Sequence, residues 1–323
     1  MPATLGRNAP TLPAIQAARE RLLPTLTRTP LVRLTLPETD REVFLKLENL
    51  QPVGSFKMRG AGNAILGIEP RRLSEGVWTV SAGNMAQGVA WYARCLGIPC
   101  RVIVPDDAPL TKLESLRRLG AEICAVPFAE YQAIQVSHVR ESMRGVLVHP
   151  FGDEAVMAGN ATIGLEILED LPDVEAIVVP YGGGGLSCGI ASAVRARKPR
   201  VKVYAAEVAT AAPLAASLAA GAPTRVAFTP SFVSGIGAPF VFPEMWPLAQ
   251  RLLDGSVVVE LSEVAGAIRR LCESAHVVAE GSGAVSVAAA LGGTIAERRI
   301  ACIVSGGNID SSKLVPILNG GVP

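Results

Sequence analysis

The chain is poor in the residues that announce metal centres, disulfide scaffolds and membrane spans. It has three histidines and six cysteines, and no two cysteines form a C-x-x-C pair. A zinc site of ordinary spacing therefore has little support. Most of the cysteines (Cys95, Cys100, Cys124, Cys188, Cys272 and Cys302) stand in apolar stretches, where a free thiol behaves as a small hydrophobe. The expectation is a reduced, cytoplasmic protein. Residues 1–13 lack an apolar run followed by a small-residue cleavage site. No stretch reaches the ~18 uninterrupted apolar residues that cross a bilayer. An excess of one charge is also missing. Thirty Lys+Arg against 29 Asp+Glu leave +1, so no global field would hold nucleic acid or an anionic membrane.

What is present is a globular composition. Hydrophobic residues are 49% and charged residues 18%, which excludes disorder as the dominant state. A chain of 323 residues can bury a large core in one or two domains. Short apolar, β-branched runs at 44–48, 77–81, 101–105, 122–126, 146–149, 176–180, 201–207, 257–261 and 300–305 predict strands. Helical patterns lie between them at 55–66, 85–96, 110–119, 155–171, 186–197, 213–220, 263–274, 283–290 and 311–318. This alternation implies an α/β fold with a mostly parallel sheet. The strand runs are apolar throughout, as in sheets covered on both faces.

Glycine is clustered. Val178–Val179–Pro180–Tyr181 leads into Gly182, Gly183, Gly184 and Gly185, then Leu186 and a helical pattern. A plain tight turn needs one or two glycines. Four in a row let successive backbone N–H groups converge, and the helix start adds partial positive charge, which makes a phosphate cradle. The P-loop is excluded because Leu186–Ser187 follows the last glycine instead of Lys-Ser/Thr. The dinucleotide fingerprint is excluded as well, because Ser187 or Cys188 falls where its third glycine belongs.

Of six lysines, Lys198 and Lys202 sit among charges, and Lys112 lies on the polar side of a helix. Lys57 follows Pro52–Val53–Gly54–Ser55–Phe56 and opens a helix, with Ser55 the expected N-cap. A cation there opposes the helix dipole by only about 0.3–1 kcal/mol. Burial can add ~3–5 pKa units in the same direction. An amine freed of its proton attacks aldehydes. Taken alone, the position also suits an ordinary surface lysine.

The phrase Ser55–Phe56–Lys57–Met58–Arg59–Gly60–Ala61 resembles the lysine motif of the serine/threonine dehydratase group of fold-type II pyridoxal-phosphate enzymes. Four further pieces follow in that family's order, over roughly residues 25 to 315: the loop 81–88, the segment 158–166, the glycine run, and the pair 279–284 and 304–308. The resemblance implies a tryptophan synthase β-like fold of two open parallel-sheet α/β domains. The large one would comprise residues 1–72 and 152–323, and the small one, with the substrate loop, residues 73–151. It implies pyridoxal 5'-phosphate as cofactor, joined to the protein through Lys57. Phe56 would pack on the cofactor ring and Asn84 would meet its phenolic oxygen. Gly182 to Gly185, with Leu186, would hold the phosphate. Gly235 and Ile236 would lie by the ring together with Glu280, and Ser305 would face the pyridine nitrogen. Ser81, Gly83, Asn84 and Met85 would hold the substrate carboxylate.

A serine at position 305 cannot pair a pyridinium as a carboxylate does, so the resemblance favours elimination over transamination. The implied reaction converts a β-hydroxy-α-amino acid such as threonine or serine to a 2-oxo acid and ammonia. The partner is then a small amino acid, and a homodimer is expected. Met85 stands where the family usually has His. It suits either a larger or more apolar β-substituent or plain packing, so dehydration of 3-hydroxyaspartate or phenylserine is an alternative. Ala82 replaces the second loop serine of racemising relatives. Glu207 matches one half of a family cation site, but Pro213 stands at the other, so no strong metal site is expected. The resemblance ends near residue 315, and a regulatory domain is not expected. β-Replacement of the cysteine synthase type is the competing enzyme. A non-catalytic cofactor-binding protein is the competing class.

Overall fold

The structure is a computed structural model that describes residues 8–35 and 40–323, so most of the segment read for a leader lies outside the described residues. In chain order the first elements are α1 (Leu12–Leu22), β1 (Leu31–Leu34), β2 (Glu42–Leu47), α2 (Lys57–Leu66), β3 (Val77–Val80), α3 (Asn84–Leu96), β4 (Cys100–Pro105) and α4 (Leu110–Arg118). Then come β5 (Glu122–Val126), α5 (Phe128–Ser137), β6 (Val146–Leu147), α6 (Glu154–Asp170), β7 (Ala176–Pro180), α7 (Gly185–Arg197) and β8 (Lys202–Val208). The chain finishes with α8 (Pro213–Ala220), α9 (Trp246–Leu252), β9 (Gly255–Val259), α10 (Leu261–Ala275), α11 (Gly281–Leu291), β10 (Arg299–Val304) and α12 (Ser311–Leu318).

The strands form a six-stranded sheet, β1-β2-β10-β7-β8-β9, and a four-stranded sheet, β5-β4-β3-β6. Every pairing is parallel except β1 with β2. All nine strands expected from the sequence form, with ends moved by a residue or two. β3 and β7 are buried at every position, the signature of strands covered on both faces. Four elements lie beyond the sequence expectation. β1 is four residues long and sits at the sheet edge. α5 buries only Ile134 and so lacks an apolar stripe. α9 is seven residues long and starts at Trp246–Pro247. α1 buries only Ile15, Ala18 and Leu22.

Parallel topology sends the carboxyl ends of β2, β7 and β10 to one edge, where open α/β sheets bind ligands. α2 connects the two sheets. Its Met58, Ala61 and Ile65 join the apolar cluster of the four-stranded sheet, which also holds Val77, Val102 and Tyr92. Its opposite side carries Arg59, which is 2% exposed. The five guanidinium N–H groups of Arg59 make five hydrogen bonds of 2.7–2.9 Å. Two go to Glu48, two to Glu166 and one to the Thr162 hydroxyl. Lys46 adds a 2.6 Å pair with Glu166 and donates to the Thr29 carbonyl, also at 2.6 Å. Two cations and two carboxylates, all buried, thus tie β2, α2 and α6 together with no net charge. Burial pushes the Glu166 carboxyl up, but Arg59 and then Lys46 hold it below the ordinary range.

Removing one member of such a network strands buried charge. Arg59→Met is expected to cost about 3–5 kcal/mol in urea unfolding at neutral pH. The native environment lowers the Glu166 pKa, so its stabilising contribution is present above the unfolded value and lost on acidification. The gap between the two proteins should therefore narrow as pH falls through the carboxylate range. A gap that is small or independent of pH would show that the network does not act as a unit.

Candidate active site

The site is built on five chain segments that meet at the carboxyl edges of the two sheets. The first is the turn before α2. Phe56 N–H donates to the Ser305 carbonyl (2.9 Å), Gly307 N–H to the Gly54 carbonyl (2.9 Å), and Ser55 bridges Gly306. This run fastens 54–56 along 305–307 and sets Lys57 above the end of β10. Phe56, not Ser55, is the N-cap of α2, and it makes no side-chain capping bond. The expected Ser55 cap is therefore corrected. Its hydroxyl is buried and has no hydrogen-bond partner.

Lys57 is partly buried. Its Nζ donates to the Pro150 carbonyl (2.7 Å) and lies 5.1 Å from the centre of the Phe56 ring. Neither contact is with a carboxylate. Burial pulls the amine down from the ordinary lysine value to about 8, with Glu280 the smaller, opposing influence. About a tenth of the amine is then unprotonated at pH 7, far more than for an ordinary lysine, as a nucleophile or base requires.

The second segment is the glycine run between β7 and α7. Gly184 has φ +86 and caps α7 in the left-handed region. A Cβ on Gly183 would stand 2.3 Å from the Phe151 ring, and one on Gly185 would stand 2.4 Å from the Phe151 carbonyl oxygen. Gly182 lies beneath Ile236, whose Cα would be 3.4 Å from a Cβ there. The run is thus a backbone cradle at the start of a 13-residue helix, closed on one side by Phe151. Leu186 is buried behind it.

The third segment follows β3. Ser81 Oγ accepts from Gly83 N–H (3.1 Å), and Gly83 caps α3 with no side-chain bond. The first intrahelical bond in the loop runs from Gln87 N–H to the Gly83 carbonyl, leaving the amides of Asn84, Met85 and Ala86 without an acceptor inside the helix. Met85 is 1% exposed and packs in the core with Val89 and Met58. Of the two readings of position 85 the structure favours packing, so this residue faces the site only through its backbone.

The fourth and fifth segments are 234–237 and the paired turns before α11 and after β10. Asn84 Nδ2 donates to Glu280 Oε1 (2.7 Å), and its Oδ1 accepts from Asn308 (2.8 Å). Burial raises the Glu280 carboxyl pKa, while its bond from Asn84 and the charges of Lys112 and Lys57 act against that. Gly235 packs on Ser282, and Ser305 Oγ donates to the Ser282 carbonyl at 3.3 Å. The residues that the resemblance assigned to cofactor and substrate therefore lie along this one edge. Sequence reasoning missed Phe151, which walls the cradle, and the buried, unpartnered Tyr181 hydroxyl beside Gly184. The phrase His149–Pro150–Phe151 between a strand and a helix was the only available signal.

Two other features lie apart from this chemistry. Glu207 accepts from the Leu214 and Ala215 amides and the Ser256 hydroxyl, so it secures the start of α8. His138, His149 and Glu244 bring their ligating atoms within 4.8 Å of one another. However, His149 Nδ1 accepts from the Phe151 (3.4 Å) and Gly152 (2.8 Å) amides, and burial keeps the ring neutral. The ring proton is then on Nε2, and no lone pair faces an ion.

The chain matches the family model described as "Pyridoxal-phosphate dependent enzyme" over residues 22–306. It is 41% identical to the L-threonine ammonia-lyase of Thermotoga maritima over 316 residues, 97% of this chain and 79% of that protein. Among solved structures, maize serine racemase is similar with a TM-score of 0.87 at 33% identity, covering 97% of this chain and 98% of that one. The serine racemase of Dictyostelium discoideum gives 0.85 at 32% identity, covering 94% and 100%. A solved threonine deaminase gives 0.82 at 33% identity, covering 93% and 99%. The chain therefore belongs to the pyridoxal-phosphate dependent enzyme family, and its fold is that of the fold-type II members. The residues present fit the cofactor. The cradle has no room for Cβ atoms at Gly183 and Gly185, and an amine of lowered pKa lies across the edge from it.

Two outcomes are expected. Pulse acetylation across pH with mass-spectrometric mapping should give Lys57 a midpoint near 8, whereas exposed lysines follow ~10.4. A Lys57 midpoint among the exposed lysines would overturn the assignment of burial. Gly185→Ala should weaken pyridoxal phosphate binding by at least about tenfold, yet barely affect phosphate-free pyridoxal, as read by absorbance titration. Equal losses for both would place the phosphate elsewhere.

Proposed function

We propose that this protein is a lyase that dehydrates and deaminates a β-hydroxy-α-amino acid of the threonine or serine type, giving a 2-oxo acid and ammonia. One observation carries the reading. In a member of this family, the Lys57 amine is lowered to about 8 and held against a carbonyl, not a carboxylate. The T. maritima relative's activity supports the same conclusion.

Pyridoxal phosphate supplies an aldehyde that condenses with amines and a ring that withdraws electrons from the substrate's α-carbon. The chain's own residues do the rest. The glycine cradle fixes the phosphate by backbone N–H groups. The free amides of Asn84, Met85 and Ala86, with the Ser81 hydroxyl, hold the substrate carboxylate. Asn84, anchored between Glu280 and Asn308, presents an amide to the phenolic oxygen, and Phe56, Gly235 and Ser305 surround the ring. Lys57 Nζ takes the α-proton, and the β-hydroxyl departs with a proton as water. Hydrolysis of the released enamine returns that water, so one amino acid yields one oxo acid and one ammonia. Fixing carboxylate and amine aligns the α C–H bond with Lys57. Ala82 offers only a methyl, so no side-chain acid at this position serves a racemase.

The same proposal includes a large domain (1–72 with 152–323) and a small one (73–151), which the two separate sheets support. It includes a homodimer, supported by exposed Leu50 and Val278 on segments joined by the Asn49–Val278 hydrogen bond. Six free cysteines support a reducing cytoplasm. Among the described residues no helix is long and apolar enough to cross a membrane.

Incubation with L-threonine should release ammonia and 2-oxobutanoate in equal amounts, and borohydride reduction should fix the cofactor on Lys57. Turnover with an added thiol and no ammonia would replace this reading with β-replacement.

A further inference from the structure

The chain crosses from the four-stranded sheet to α6 through residues 149–152, and this turn carries two parts of the site. The Pro150 carbonyl accepts from Lys57 Nζ at 2.7 Å, and the ring and backbone of Phe151 wall the glycine run. Before the turn, Val148 is still fastened to β3. Its N–H donates to the Trp78 carbonyl and its own carbonyl accepts from the Thr79 hydroxyl, both at 2.8 Å. After the turn, Asp153 caps α6. Between these two anchors no backbone–backbone hydrogen bond among the described residues closes the chain, and Pro150 has no N–H to give. The amides of Phe151 (3.4 Å) and Gly152 (2.8 Å) go instead to a single side-chain atom, Nδ1 of His149.

His149 is 2% exposed, and its ring stands edge-on to that of Phe151, with centres 4.5 Å apart. Its other nitrogen, Nε2, is buried and has no hydrogen-bond partner. A buried N–H left unpaired is costly, and an apolar side chain of similar size would avoid that cost. What the imidazole adds over such a side chain is the acceptor at Nδ1. We infer that His149 is a positioning residue for the cofactor site: through Nδ1 it folds the turn 149–152, and so sets at once the carbonyl that receives the free Lys57 amine and the aromatic wall of the glycine run. It acts through Pro150 and Phe151, not by contact with reacting atoms. The inference rests on Lys57 as the lysine that joins the cofactor, and it is independent of which amino acid is the substrate.

Substitution separates the two ring nitrogens. In His149→Asn the side-chain oxygen takes the place of Nδ1 and can accept from the amides further along the turn. In His149→Gln the polar atoms lie near the place of Nε2, and His149→Leu supplies neither acceptor. The full-length protein freed of cofactor is titrated in two ways: by pulse acetylation across pH with mapping of Lys57, and by absorbance with pyridoxal phosphate. In His149→Leu and His149→Gln the loosened turn should admit water to the amine. The Lys57 midpoint should then rise by about one unit from its wild-type value of about 8. Pyridoxal phosphate should bind about tenfold more weakly in the same two variants. His149→Asn should bring both readouts back toward the wild type.

A general loss of packing would lower the urea midpoint of the variants without sorting Asn from Gln. Asn and Gln variants that agree in both readouts would therefore overturn the inference. So would wild-type values of both in His149→Leu; should that variant not fold, the Asn–Gln pair decides. Borohydride reduction that fixes the cofactor on a different lysine would remove the Lys57 reading and this inference with it. With Lys57 labelled and the Asn and Gln variants indistinguishable, this inference alone falls.

Discussion

The arrangement depends on the guanidinium of Arg59. It lies two residues beyond Lys57 on the same first turn, and all five of its N–H groups are engaged. Buried ion pairs of this kind add little net stability over a well-packed apolar substitute. What they impose is geometry, because each carboxylate can satisfy the fork only in one orientation. Glu48 follows β2 and Glu166 sits on α6, so the angle and height of α2 are referred to two separate elements. Lys57 inherits that reference. Its position over the end of β10 is then refined by the backbone pairing of 54–56 with 305–307.

A second constraint is the exclusion of side chains from the space where the cofactor belongs. Phe151 occupies the volume that Cβ atoms at Gly183 and Gly185 would need. The wall and the cradle are therefore one packed object, and the carbonyl that receives Lys57 Nζ is that of Pro150, the residue before Phe151. Burial of the amine and the shape of the glycine run thus share a structural cause. Glu280 works against the first of these, since a carboxylate nearby favours the charged amine. Its own burial pushes it toward the neutral form and so weakens that opposition.

Much of this was legible in the sequence where the determinants are local. The strands read as uninterrupted apolar runs, and Lys57, Asn84 and the four glycines stand in short phrases whose chemistry is specific. Distance in sequence hid the rest. Asn84 and Glu280 are 196 residues apart, and no local pattern pairs them. No local pattern pairs Lys46, Glu48, Arg59 and Glu166 either; the fold brings them together. Ser55 looked like an N-cap because serine before a helix usually is one. Its backbone instead forms an isolated antiparallel bridge with Gly306, which leaves the hydroxyl buried. Lys112 was legible only as a residue on the polar side of its helix. Only the fold brings its amine to 3.5 Å from the Ser234 hydroxyl.

The same geometry bears on why this chain, similar in fold to a serine racemase, is read as an eliminating enzyme. Racemisation needs a proton acceptor on one face of the α-carbon and a donor on the other. Elimination needs one base and a group able to depart. The loop after β3 presents a methyl at Ala82, while the Ser81 hydroxyl is held by the Gly83 amide. In the reaction proposed above, Lys57 is the base that removes the α-proton. Once that proton is gone, its return to the same face regenerates the substrate, and only loss of the β-hydroxyl carries the reaction forward. Ser305 acts in the same direction. In the proposed site the ring nitrogen would face the Ser305 hydroxyl, which is neutral, donates to the Ser282 carbonyl at 3.3 Å and cannot pair a pyridinium as a carboxylate would. Charge built up at the α-carbon is best relieved by prompt departure of the leaving group, which makes β-elimination the course this chain is built to favour.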